Sequence, residues 1–116
     1  MDEVQRLFED YGTVDELEID LAFQEHRAQR ATYDKHRVTI GEILGVHQNQ
    51  PGYFLNQSSN LENPEQRRAP LILVGPTPAG RFLAVPLEPT NSFGTWRVVT
   101  AFAANTHHID KWNDIV

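Results

Sequence analysis

Three apolar runs late in the chain, separated by glycine-bearing turns, constrain its fold more than any other feature. Leu71–Val74 is continuously apolar, as in a strand buried on both faces. Arg81–Leu87 sets Arg81, Leu83, Val85 and Leu87 against Phe82, Ala84 and Pro86. Thr95–Ala103 sets Trp96, Val98, Thr100 and Phe102 against Arg97, Val99, Ala101 and Ala103. Period-2 alternation of this kind marks strands. Gly75 to Gly80 and Glu88 to Gly94 are short enough to be hairpin connections, so the three runs read as an antiparallel meander.

Upstream the period changes. Val4, Leu7, Phe8 and Tyr11 recur at i, i+3, i+4 and i+7, an amphipathic helix that Gly12 ends. Glu16 to Leu21 alternates polar and apolar residues and predicts a half-buried strand. Ala22 to Lys35 lacks Gly and Pro, and its Arg27, Arg30 and Asp34 share one helical face. Thr39 with Glu42 three residues on has capping-box spacing for a helix that Pro51-Gly52 terminate. Asn56 to Pro70 reads as a long polar loop. Asn105 or Thr106 can cap a last helix running through Trp112. Helices gathered before an antiparallel meander predict an α+β fold: a three- to four-stranded antiparallel sheet with helices packed on one face.

A chain of 116 residues fits one small core. It has no cysteine, which excludes a disulfide framework, a thiolate nucleophile and any Cys-ligated metal. No apolar run approaches the roughly 20 residues of a membrane span, and the acidic start is unlike a signal peptide, so a cytoplasmic protein is expected. The net charge is -6, but it is unevenly placed. Residues 1–20 carry eight acids and the single base Arg6, which is -7; residues 21–116 carry eight acids and nine bases, which is +1. The acidity thus belongs to one segment, and the acidic total is a weaker argument against a nucleic-acid partner than it looks, although the nearly neutral body offers few bases.

The body resembles a known family. Asp34-Lys35-His36-Arg37-Val38-Thr39, followed by Glu42, is similar to the Lys-His-Gly-Val-Ser segment ahead of the second helix in BrnT-type toxins of the RelE/ParE-like superfamily. Arg67 and Arg68 before a strand, then Gly75-x-Thr77-x-x-Gly80-Arg81, continue the likeness. Arg97-Val98-Val99-Thr100-Ala101 resembles that family's Arg-Ile-Ile-Ser-Ala strand. The likeness spans roughly Leu17 to Trp112. It departs at Arg37, where the family has Gly, and after Ala101, where Phe102-Ala103-Ala104 replaces an Arg and a strongly basic terminal helix. The acidic start has no counterpart, so residues 1–16 read as a helical extension and 17–116 as the BrnT-like domain.

The resemblance implies a RelE/BrnT-like fold and a type II toxin that cleaves RNA and is held by an antitoxin protein. Such cleavage uses the substrate's own 2'-hydroxyl as nucleophile, so the protein supplies a base, an acid and positive charge for the phosphorane. His suits the first two roles and Arg the third. The catalytic candidates are Arg81, Arg97, His36, His107 and His108; the substrate-binding candidates are Lys35, Arg67, Arg68 and Lys111. Strand pairing is expected to bring Arg81 and Arg97 together on one sheet face. Each has a plainer reading: Arg81 as a solvated turn residue, Arg97 as a partner of Glu88, and His36 as a backbone hydrogen-bonder. No cofactor or metal is expected, because no carboxylate or further His follows His107-His108 at helical spacing except Asp110. Trp96 and Trp112 read as core or interface anchors. The missing basic helix implies weakened activity. The rival reading is a non-catalytic interaction module on the same fold, docking a partner through its acidic N-terminal segment; a weaker third is a nucleic-acid mimic.

Overall fold

A computed structural model describes residues 3–19, 38–56 and 69–115. The predicted helix over Ala22–Lys35, most of the polar loop, and the candidates Lys35, His36, Arg67 and Arg68 lie outside the described residues.

The described elements run α1 (Glu3–Tyr11), β1 (Glu16–Glu18), α2 (Ile40–Gln48), β2 (Gly52–Leu55), β3 (Leu71–Pro76), β4 (Phe82–Pro89), β5 (Thr95–Val98), β6 (Phe102–Ala103) and α3 (Thr106–Ile115). The fold is α+β. Among the described residues the sheet has six strands in the order β1-β5-β4-β3-β2, with β6 pairing β4. It is wider than the three or four strands expected and is mixed, since β1 runs parallel to β5 and sets Leu17 beside Trp96.

Helices cover both faces of the sheet, where one had been expected. The cause lies in β3, whose alternate residues are all apolar. Leu71 and Leu73 join Leu83, Val85, Leu87 and Trp96 in a core closed by Ile43 and Val46 of α2 and by Leu7 and Phe8 of α1. Ile72 and Val74 point the other way with Ala84, and Phe102 and Trp112 pack over them. A one-sided layer would leave Ile72 and Val74 in water, at about 1.5–3 kcal/mol per side chain. Trp112 fixes α3 in place: its Nε1 donates to the Gln50 carbonyl at 2.6 Å, and its ring meets Phe82 edge-on at 5.0 Å.

The predicted capping box holds. The Glu42 backbone N–H donates to Thr39 Oγ1 at 3.1 Å, and the Thr39 N–H donates to Glu42 Oε1 at 3.1 Å.

The last predicted strand is broken by a bulge. Leu87 pairs Val98, and Ala84 pairs Phe102, so three steps on β4 face four on the other strand. One extra residue turns every side chain beyond it to the opposite face. Trp96, Val98 and Ala101 therefore enter the α1/α2 core, while Phe102 joins the α3 face instead of continuing the row of Trp96 and Val98.

The acidic segment shares that core. Val14 is 7% exposed, and Phe8 stands edge-on to Tyr53 at 5.6 Å and to Trp96 at 6.4 Å. The fully buried Trp96 donates from Nε1 to the Gly12 carbonyl at 3.0 Å. Gly12, at φ +89°, lies so close to the next hairpin that a Cβ would fall 2.4 Å from the Gly94 nitrogen.

Candidate functional site

Arg81 and Arg97 are not brought together. Arg97 lies across from Glu88, seven residues along β4 from Arg81, or about 23 Å at ~3.3 Å per residue. They also lie on opposite faces. Arg81 follows the odd-numbered residues of β4 toward α2, whereas Arg97 follows Glu88 on the side of Ala84. The expectation of a shared face fails because the meander offsets β5 toward the far end of β4.

Each arginine meets carboxylates. Arg97 Nε donates to Glu18 Oε1 and its Nη1 to Glu88 Oε1, both at 3.0 Å. The three side chains form a lateral row across β1, β5 and β4. The hydrogen bond from Glu18, then that from Glu88, holds the Arg97 guanidinium still more firmly in its charged form. Glu18 belongs to the acidic first 20 residues, so part of that charge block does screen a base of the body. Arg81 Nη1 donates to Glu42 Oε2 at 3.3 Å, and Glu42 is already engaged in the α2 cap.

The Gly75-x-Thr77-x-x-Gly80-Arg81 motif has a structural task that accounts for its residue types. Thr77 is 3% exposed; its N–H donates to the Arg81 carbonyl at 2.7 Å and its Oγ1 accepts from the Arg81 N–H at 3.1 Å. Gly80 takes φ +94°, a conformation that favours glycine, to close this turn. At Gly75 a Cβ would come 3.0 Å from the Gln50 carbonyl oxygen.

The remaining described candidates do converge. His107, His108 and Lys111 line one cleft of about 270 Å³, with Phe54 and Leu55 of β2, Ile72, Phe102 and Asn105 around them. Helical spacing explains the convergence: positions 107, 108 and 111 lie at i, i+1 and i+4 on α3, with His107 and Lys111 stacked one turn apart. Asn105 caps this helix, its Oδ1 accepting from the His108 N–H at 2.9 Å. The two imidazole centroids are 6.3 Å apart, and the His108 ring lies 6.1 Å from that of Phe102. Lys111 Nζ sits over the Phe54 ring at 5.9 Å from its centroid. Burial, then the nearby positive charges of His107 and Lys111, lowers the His108 pKa from its ordinary value. The shift favours the neutral imidazole, whose Nδ1 accepts from the Asn105 N–H at 3.4 Å.

Phe54, Phe102 and Asn105 are site residues that sequence reasoning did not single out. Phe102 was visible only as a strand residue, because the bulge that turns it leaves no composition signal. Phe54 follows Pro51-Gly52, a pair that reads as a helix stop and masks the strand behind it. Among the described residues there is no group of three or more metal-ligating side chains, and no helix is long and apolar enough to cross a membrane. No family model and no curated protein matches the chain.

Proposed function

We propose that the protein is a toxin-fold ribonuclease of the RelE/BrnT type, working on cytoplasmic RNA and held by an antitoxin partner, with its acid–base chemistry in the α3 cleft. The observation that carries this reading is the convergence of His107, His108 and Lys111 on one concavity. The resemblance of the Lys35–Glu42 and Arg97–Ala101 segments to that family supports it.

In this mechanism the His108 Nδ1, released from the Asn105 N–H, takes the proton of a ribose 2'-hydroxyl as its oxygen attacks the adjacent phosphorus. The bond from phosphorus to the 5'-oxygen breaks, and His107 delivers a proton to that leaving oxygen. The products are a 2',3'-cyclic phosphate and a free 5'-hydroxyl. The Lys111 ammonium opposes the charge that builds on the phosphorane, a role worth most where water is partly excluded. Arg81 and Arg97 are each turned to carboxylates, so the reading expects a slow enzyme. Phosphate contacts supply most sequence-independent affinity for nucleic acid, and a body at +1 offers few.

The test is expression in bacteria with growth and bulk RNA integrity followed over time, beside the His107→Ala/His108→Ala double variant. Growth arrest and RNA loss that vanish in the variant support the proposal. Intact RNA and normal growth with folded, accumulating protein refute it.

One observation favours a second reading, the non-catalytic docking module. Glu18 and Glu88 flank Arg97 from both sides and oppose its charge, as suits a structural row rather than a phosphate grip. Under that reading the double histidine variant still binds the protein's partner with unchanged affinity, and RNA is left intact by both forms.

A further inference from the structure

The α3 cleft has two chemically different walls, and the ribonuclease reading uses only one. On one side stand His107, His108 and Lys111; on the other are the rings of Phe54 and Phe102, with Ile72 behind them. A volume of about 270 Å³ is at the small end for ligand sites and suits one nucleotide rather than a long segment. Cations facing aromatic rings across such a space match a molecule with a phosphate at one end and a planar base at the other.

Lys111 links the two walls. Its ammonium rests over the Phe54 ring at 5.9 Å, a cation–π contact that occupies both the charge and the ring face. An arriving phosphate is a stronger partner for the ammonium than a phenyl ring. Once Lys111 turns to it, the Phe54 face is uncovered for a base.

We propose that this cleft is a nucleoside-monophosphate site in which Lys111 leaves the Phe54 ring for the phosphate while the nucleobase takes the ring face Lys111 has vacated. The inference deepens the ribonuclease reading, on which it rests for the identity of the substrate. It adds that base stacking on Phe54 selects and positions the nucleotide at which the chain is cut.

The probe is uridine 3'-monophosphate, which has no phosphodiester to cleave, so binding is measured apart from catalysis. Titration calorimetry with the full chain compares it with inorganic phosphate and with uridine. The nucleotide should bind roughly tenfold tighter than either fragment, as expected for one stacked base added to a phosphate contact. Phe54→Leu should remove that advantage without weakening phosphate, which no longer has to draw Lys111 off the ring. Lys111→Met, on the helix surface and neutral to the core, should weaken nucleotide and phosphate alike and remove most of the salt dependence. Folding of both variants is checked by circular dichroism. A nucleotide that binds no tighter than phosphate overturns the proposal, as does an advantage that persists in Phe54→Leu. RNA cleavage without nucleotide binding would also overturn it and leave the ribonuclease reading intact. Nucleotide binding with the expected variant pattern but no RNA cleavage would uphold the site and refute the ribonuclease.

Discussion

Replacing Trp96 by Phe should loosen the acidic N-terminal segment on the sheet, because that indole is the largest fully buried side chain at their joint. Its side chain is fully buried and packs edge-on against Phe8 and Tyr11, and its Nε1 donates to the Gly12 carbonyl at 3.0 Å. Phenylalanine keeps the ring contacts in part but brings three fewer ring atoms, a burial loss of about 2 kcal/mol at ~0.8 kcal/mol per carbon-sized group. The lost hydrogen bond adds about 1 kcal/mol, and more if the Gly12 oxygen stays dry. The sum is about 3 kcal/mol, a fall in Tm of roughly 10 °C for a domain of this size. Urea unfolding followed by circular dichroism reads it directly, with an unchanged slope showing that compactness is unaltered. The control is Trp112→Phe, whose indole is only half-buried; it should cost about 1 kcal/mol, chiefly the bond to Gln50. With two tryptophans in the chain, each variant leaves a single tryptophan as a second probe. A Trp96→Phe midpoint within about 0.5 kcal/mol of wild type would show that the segment does not depend on this joint, and would refute the argument.

Four other outcomes can be checked. Gly12→Ala should destabilise by about 3 kcal/mol or more, because φ +89° strains any side chain and the new Cβ would strike the Gly94 backbone; chemical denaturation measures it. Glu18→Gln with Glu88→Gln should change stability by less than about 1 kcal/mol but strengthen RNA binding at low salt with a steeper salt slope, seen by fluorescence anisotropy. Tyr53, pushed up to about 12 by burial and then by the charge of Asp15, should give a late step in an ultraviolet titration that Tyr53→Phe abolishes. His108 faces His107 and Lys111 on its own helix and Phe102 across from it, and its folded pKa lies below the unfolded value of about 6.5. The unfolded chain therefore binds more protons in the window below that value, so stability should fall on acidification through it, and His108→Gln should flatten the fall in a pH series of urea midpoints.

The parts of this fold that repeat locally were legible in the sequence. The α1 period, the Thr39–Glu42 box, the Asn105 cap and the runs forming β3 and β4 all rest on contacts between near neighbours, which spacing encodes. The pairing of Arg97 with Glu88 was also in view as the plainer reading of that arginine. What spacing does not encode is register. Where β5 meets β4 fixes the separation of Arg81 and Arg97, and nothing in either strand states it. Glu18 reaches Arg97 across 79 positions through a parallel pairing that no local pattern announces. The cleft was half legible: His107, His108 and Lys111 are one helical face, but the rings opposite come from β2, hidden behind a helix stop, and from β6, turned by one unpaired residue.

That unpaired residue is spare length between Val98 and Phe102. Removing a single residue there would keep the composition, the hydropathy profile and nearly every side chain. It would also set three steps against three, so that Leu87 would still meet Val98 and Ala84 would still meet Phe102, with no bulge between the two pairs. Among natural variants of this protein, substitutions and one-residue deletions at Val99 or Thr100 should therefore both leave the Phe102 wall of the cleft in place.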